Sequence, residues 1–227
     1  MRIVTNQKLV KRNSTLGRYA LWAGMALLVA ALVVNFLAFQ RPDLIYLVLV
    51  GFFVGFTLTT IGTMVNNRWG RKADERIAES LKGLDDRYTL YNYRLGAQHV
   101  LAGPMGVVVL YPKFHTGPIL YDGKKWLNPG ARKTAFGLFD PDPLGNPILE
   151  AAGEVETLNK FLARRSADVK VPPQAAVVFL SSHAEVQAKS APLPVLHYKQ
   201  MKDYVRKLPK DSTATTDQLA KLDAAAA

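Results

Sequence analysis

The chain has 227 residues, 49% of them hydrophobic, and no cysteine, which excludes a disulfide framework and any thiolate metal centre. Its net charge of +11 calls for anionic surroundings, and no Gly-rich phosphate loop is present to suggest a P-loop nucleotide site. That charge is uneven: +5 over residues 1–18, zero over 19–65 and +6 over the remainder. Basic residues beside apolar spans are attracted to anionic headgroups, so lipid is favoured over nucleic acid as the reason for the excess.

Residues 1–18 carry Arg2, Lys8, Lys11, Arg12 and Arg18 with no acid and read as a basic cytoplasmic segment. Tyr19–Phe39 and Leu44–Val65 are each about 20 residues of apolar sequence, enough at 1.5 Å per residue to cross a bilayer core. Gln40-Arg41-Pro42-Asp43 separates them, and Pro42 ends the helix there. So tight a loop predicts an antiparallel transmembrane hairpin. The first span is too long for a signal-peptide core and lacks a small-x-small cleavage site, so it is expected to stay attached. Arg68, Arg71 and Lys72 follow the second span, whereas the loop offers only Arg41. The positive-inside rule then places both termini in the cytoplasm and the protein in an inner or plasma membrane. Gly51, Gly55, Thr59 and Gly62 share one helical stripe, expected to pack the hairpin closely.

Residues 66–208 read as one cytoplasmic α/β domain. Lys72–Leu84 has Ile77, Leu81 and Leu84 at helical spacing, with Asp74 and Glu75 in the first turn. Tyr88–Leu95 is a tyrosine-rich strand, expected at a sheet edge with Tyr88, Tyr91 and Tyr93 facing outward beside Arg87 and Arg94. Val100–Ala102 and Val107–Leu110 flank Gly103-Pro104-Met105-Gly106 and predict a hairpin whose unbroken apolar runs are covered on both faces. Pro112 marks the end of the second strand or an edge. Ile119–Tyr121, the Asp122-Gly123 turn and Trp126-Leu127 form a smaller hairpin. Asn128–Pro147 is an irregular connection with one short strand at Ala135–Phe139.

Asn146-Pro147 caps a helix running to about Arg165, predicted to bury Leu149, Ala152, Val155, Leu158 and Leu162 or Phe161. Ala175–Leu180 is an interior strand, Leu193–His197 a short one, and Lys199–Leu208 a closing helix. Residues 209–227 are Ser/Thr/Ala-rich, a tail expected to be disordered or a loosely held helix. The histidines at 99, 115, 183 and 197 are scattered and predict no metal cluster. Ser181-Ser182-His183 lacks an elbow motif and reads as a strand-end turn.

From about Arg71 to Leu208 this order resembles the nuclease-related domain (NERD) family, whose fold is an α/β sandwich of the restriction-endonuclease-like, PD-(D/E)XK type. The matching residues are Glu75, His99, Gly103-Pro104-Met105-Gly106, Val107–Leu110, Lys113 and Asn146-Pro147. The resemblance implies a site where two carboxylates hold magnesium and a lysine positions the attacking water. Here Gln98 stands for the first acid and Tyr111 for the acid preceding the lysine, so Glu75 and Lys113 are remnants. Glu150 replaces a glutamine common in that helix and is a candidate substitute acid; Asp122 and Asp140 are further carboxylates that could lie near. One carboxylate cannot assemble the site that the resemblance implies. The expectation is therefore a non-catalytic domain without cofactor or metal, tethered as a scaffold or accessory subunit to a membrane-protein partner. A magnesium-dependent nuclease with a relocated acid, or a nucleic-acid-binding tether, is the alternative.

Overall fold

The computed structural model describes residues 1–38, 41–69, 72–129, 144–165 and 168–226. They fall into two compact units, Gln7–Lys72 and the combination of Met1–Asn6 with Ala73–Ala227. The expected strand at Ala135–Phe139 and the carboxyl of Asp140 lie outside the described residues, as do Phe39, Gln40 and Arg71.

The first unit is a helical hairpin. Helix α1 spans Gln7–Ala38 and α2 spans Ile45–Trp69, joined through a short 3-10 turn at Pro42–Leu44. Both are long and apolar enough to cross a membrane. Their buried residues are Gly17, Gly24 and Ala31 on α1 and Val48, Gly55 and Gly62 on α2, each set repeating every seven residues. Small residues at a seven-residue repeat keep one narrow seam between two helices and let the backbones approach. The large side chains Trp22, Phe36, Tyr46 and Phe53 stay exposed on the outer faces. Thr57, Thr59, Thr60 and Thr63 each donate to the carbonyl four residues earlier at 2.8–2.9 Å, so their hydroxyls are satisfied within α2.

The second unit is a mixed sheet between helical layers. Its strands are β1 (Arg2–Thr5), β2 (Thr89–Leu95), β3 (Ala97–Gly103), β4 (Gly106–Lys113), β7 (Pro173–Phe179) and β9 (Val195–His197), in the spatial order β1-β2-β3-β4-β7-β9. β2, β3 and β4 form an antiparallel meander, while β1 is parallel to β2, and β7 is parallel to both β4 and β9. A smaller sheet contains β5 (Gly117–Tyr121), β6 (Trp126–Leu127) and β8 (Ala184–Gln187).

The unbroken apolar run of β4 is explained by its two covered faces. Val108 and Leu110 pack with α3 (Ala73–Ser80) and α5 (Met201–Lys207), through Ile77, Met201 and Val205. Val107 and Val109 point the other way, to Leu158 and Leu162 of α4 (Pro147–Arg165) and Leu222 of α6 (Thr216–Ala226). The hairpin turn is Pro104-Met105, and Gly106 takes φ +95°, a conformation that favours glycine. β3 pairs with β4 only as far as Val109, so Pro112 interrupts no bond on that side.

Four expectations need correction. Residues 1–18 are not a free basic segment, because Arg2–Thr5 is a strand in register with Thr89–Asn92 and α1 starts at Gln7. The β-branched Ile3-Val4-Thr5 suits an edge strand, and Val4 packs on the core. With β1 outside it, β2 is not an edge: Tyr91 and Tyr93 are 2% and 7% exposed, which removes the expected outward aromatic face. On α4 the buried stripe is Pro147, Ala151, Leu158 and Leu162, whereas Leu149 is 69% exposed. Nor is the C-terminal segment a disordered tail, since Leu222, Ala225 and Ala226 of α6 are buried.

Asp223 fastens α6 to the sheet by accepting from the Arg2 guanidinium and the Tyr91 hydroxyl. Burial pushes its carboxyl up, but these donors and the Arg2 charge outweigh that and hold it below the usual carboxylate range. A depressed folded value means that the fastening is complete above about pH 4, the unfolded carboxylate range, and is lost as pH falls through the lower folded value. The protection of amides in residues 216–226, measured against the unstructured-chain exchange rate at the same pH, is therefore expected to be high at neutral pH and to fall in acid. Asp223→Asn should exchange rapidly already at neutral pH, and Leu222→Ala should cost about 2–3 kcal/mol. Equal exchange in wild type and Asp223→Asn throughout would refute the fastening.

Candidate functional site

The polar cluster closest to the expected site gathers at the carboxyl end of β4. Tyr111 and Lys113, two apart on a strand, lie on the same face as Val107 and Val109 and thus under α4. Asn146 and Pro147 fix where that helix begins. Leu149 N donates to Asn146 Oδ1 at 3.3 Å, and Pro147 takes a first-turn position that needs no donor. This start places Glu150 in the first turn, above the strand end.

Lys113 Nζ lies 2.7 Å from Glu150 Oε2 and donates to Leu144 O at 2.9 Å. The Tyr111 hydroxyl donates to the same Glu150 oxygen at 2.6 Å, and the ammonium sits 5.6 Å from the Tyr111 ring centroid. The lysine side chain is only 10% exposed and that of Glu150 34%, so this is a half-sheltered ion pair with one open side. One helical turn on, Glu154 accepts from Gln98 N at 2.8 Å and from Gln98 Nε2 at 3.1 Å. Glu150 and Glu154, four residues apart, thus share one helix face and engage β4 and β3 respectively.

This arrangement brings together Lys113, Tyr111 and the substitute acid Glu150, with Gln98 beside them through Glu154. Glu75 is elsewhere: it is exposed on α3, whose Ala73 and Ile77 pack on the opposite face of the sheet. Asp122 belongs to the β5–β6 turn, where it accepts from Lys124 N and Lys125 N at 2.8 and 2.7 Å. Those backbone donors, Lys125 first, hold its carboxyl below the usual range.

His99 is fully buried, its Nδ1 2.8 Å from Asn92 Oδ1, and Asn92 in turn donates to Thr5 Oγ1 at 3.0 Å. Ser182 Oγ and His183 Nδ1, 3.1 Å apart, are sequence neighbours in an exposed turn after β7.

Chemically, the members of the cluster engage one another. The ammonium has a carboxylate and a carbonyl, and the Gln98 amide is held by a second carboxylate, Glu154. Magnesium demands near-octahedral oxygen coordination, usually through one or two carboxylates and several waters, and here the Glu150 carboxylate is engaged by Lys113 and Tyr111 and that of Glu154 by Gln98. Among the described residues no three His, Asp or Glu side chains gather as a metal-binding group. Sequence reasoning missed Glu154 and the Leu144 carbonyl. The four-residue spacing of Glu150 and Glu154 after a helix cap was a usable signal for the first, but no local pattern marks the second.

No family model, no curated protein and no solved structure matches the chain.

Proposed function

We propose that the protein is a membrane-anchored scaffold or accessory subunit, whose soluble domain is a degenerate NERD-like, restriction-endonuclease-type sandwich that docks a membrane-protein partner and does not cut nucleic acid. The observation that carries this reading is the engagement of Lys113, at the position the resemblance marks, by the chain's own groups, with Lys113 paired to Glu150 and Tyr111 donating to the same oxygen. A general-base or water-positioning lysine needs a free face toward substrate and a cation beside it. Here its partners come from the chain itself.

A two-span topology is supported by strand pairing. β1 precedes the helical hairpin and β2 follows it, yet the two are hydrogen-bonded neighbours, which supports a reading with both ends of the hairpin on one side of the bilayer. The basic residues flanking those ends make that side the cytoplasm, next to anionic headgroups. Because the chain has no cysteine, single cysteines report this directly. Asp43→Cys should react with an impermeant maleimide on intact cells, and exposed Ser190→Cys only after permeabilisation. The reverse pattern, or equal labelling, would overturn the topology.

The alternative nuclease reading draws on the same contact, since Glu150 does reach Lys113. Full-length protein in detergent, given linear and plasmid DNA with magnesium or manganese, is expected to leave both intact and to co-purify with a membrane protein. Metal-dependent hydrolysis that disappears in Lys113→Ala would sink the scaffold reading. DNA binding with a steep salt slope would instead favour the nucleic-acid tether.

A further inference from the structure

A second polar site lies on the opposite face of the sheet from Glu150. At the carboxyl ends of β7 and β9 the chain passes through Leu180–Ser182 and Tyr198–Lys199, and α3 runs alongside. Between them is a pocket of about 420 Å³, floored by buried Leu180 and walled by Arg76, Glu79 and Ser80 of α3. Ser182, Tyr198 and Lys199 complete it. In α/β folds, ligands bind outside the carboxyl ends of parallel strands, where the backbone turns away and leaves a crevice. Pockets for small molecules begin at about 300 Å³.

The charges are arranged for a ligand and not for one another. Among the described residues, neither Arg76, Lys199 nor Glu79 is in an ion pair. Arg76 is anchored, since one of its terminal nitrogens donates to Leu180 O at 3.0 Å and its guanidinium lies 5.9 Å from the Phe114 ring centroid. That leaves other guanidinium N–H groups available while the side chain is held at the pocket wall. Lys199 is positioned through its backbone. Its N–H donates to His197 Nδ1 at 3.4 Å, and His197 Nε2 lies 2.9 Å from Ser181 O, which ties β9 to the turn after β7.

We infer that this pocket binds a small phosphorylated polyol, a sugar phosphate or nucleoside monophosphate. Arg76 and Lys199 take the phosphate, the first as a planar fork and the second as a point charge, with the Ser182 hydroxyl as a further donor. Glu79 repels a bare dianion but accepts from hydroxyl groups on the attached polyol, which discriminates the ester from inorganic phosphate. The half-buried Tyr198, whose ring already lies 4.5 Å from that of His197, offers an apolar surface to the remainder of the ligand. The inference is independent of the docking role, because the pocket and the Lys113 cluster occupy different faces.

Titration calorimetry of the full-length protein in detergent, with ribose 5-phosphate, adenosine monophosphate and inorganic phosphate as probes, tests it. At least one of the two esters is expected to bind with a dissociation constant below millimolar, and inorganic phosphate roughly tenfold more weakly or less. Lys199→Gln should weaken the ester about tenfold with an unchanged unfolding temperature, since Lys199 is exposed. Glu79→Gln should narrow the gap between ester and inorganic phosphate. Arg76→Gln should abolish binding, but the Leu180 contact makes Lys199→Gln the deciding variant. No binding by either ester at millimolar concentration, equal affinity for inorganic phosphate, or undiminished binding in Lys199→Gln would each overturn the assignment.

Discussion

Gly24→Leu is expected to separate the two helices of the hairpin. A Cβ at Gly24 would lie 2.5 Å from both N and Oγ1 of Thr59 and 2.8 Å from Gly55 O, and at Gly62 it would lie 2.4 Å from Leu21 N. These obstacles are mainly backbone, so no rotamer change relieves them. Overpacking a well-filled interior costs about 1–3 kcal/mol even where side chains can adjust. Between helices in lipid the association rests on close van der Waals contact, with no hydrophobic gain to offset the strain.

The absence of native cysteine allows a direct readout. A Cβ built at Gly51 lies 3.0 Å from Ala31 Cβ, so Ala31→Cys with Gly51→Cys should form a disulfide after a small adjustment. Adding Gly24→Leu or Gly62→Leu should reduce that cross-link several-fold. Val29→Leu, on the exposed face, should leave it alone. Undiminished cross-linking in Gly24→Leu would mean that the seam is not where the glycines place it.

Glu150→Ala should be the most damaging single change in the soluble unit that leaves its apolar core intact. It strands the Lys113 ammonium, 10% exposed, with one carbonyl for company and removes the acceptor of the Tyr111 hydroxyl. Removing one partner of a fully buried pair costs about 3–5 kcal/mol. Glu150 is a third exposed and water can enter on that side, so about 2–3 kcal/mol is expected. Tyr111→Phe removes one neutral donor and should cost about 1 kcal/mol.

The informative variant is the double one, Lys113→Met with Glu150→Gln, which deletes both charges and retains the volume. It should recover most of the loss seen in Glu150→Ala, because no uncompensated charge remains. Denaturant unfolding of the wild type, Lys113→Met, Glu150→Gln and the double variant, combined as a double-mutant cycle, measures the coupling. If the double variant is as unstable as Glu150→Ala, the pair is not what holds this strand end to α4.

Features set by short stretches were legible in the sequence. The spans at 19–39 and 44–65 could be read because about 20 apolar residues interrupted at Pro42 leave a helical hairpin as the simplest solution. Gly103-Pro104-Met105-Gly106 was legible because that turn suits few other backbones, and the Asn146-Pro147 helix start because a cap is local chemistry. At the site, the contact between Lys113 and Glu150 could be named in advance only as one option among several carboxylates.

What the sequence alone determined, then, is the pair of stretches that suit lipid, the turn at Gly103–Gly106 and the helix start at Asn146-Pro147, since composition, turn chemistry and capping act within a few residues of themselves. The tertiary structure decided that Arg2–Thr5 pairs with a strand more than eighty residues away and that Asp223 draws an alanine-rich end onto it. It also set the rotation of α4, which turns Leu149 outward and Glu150 and Glu154 inward. Each of these depends on a partner distant along the chain, and the free energy of such a contact exists only once the fold has brought the two ends together.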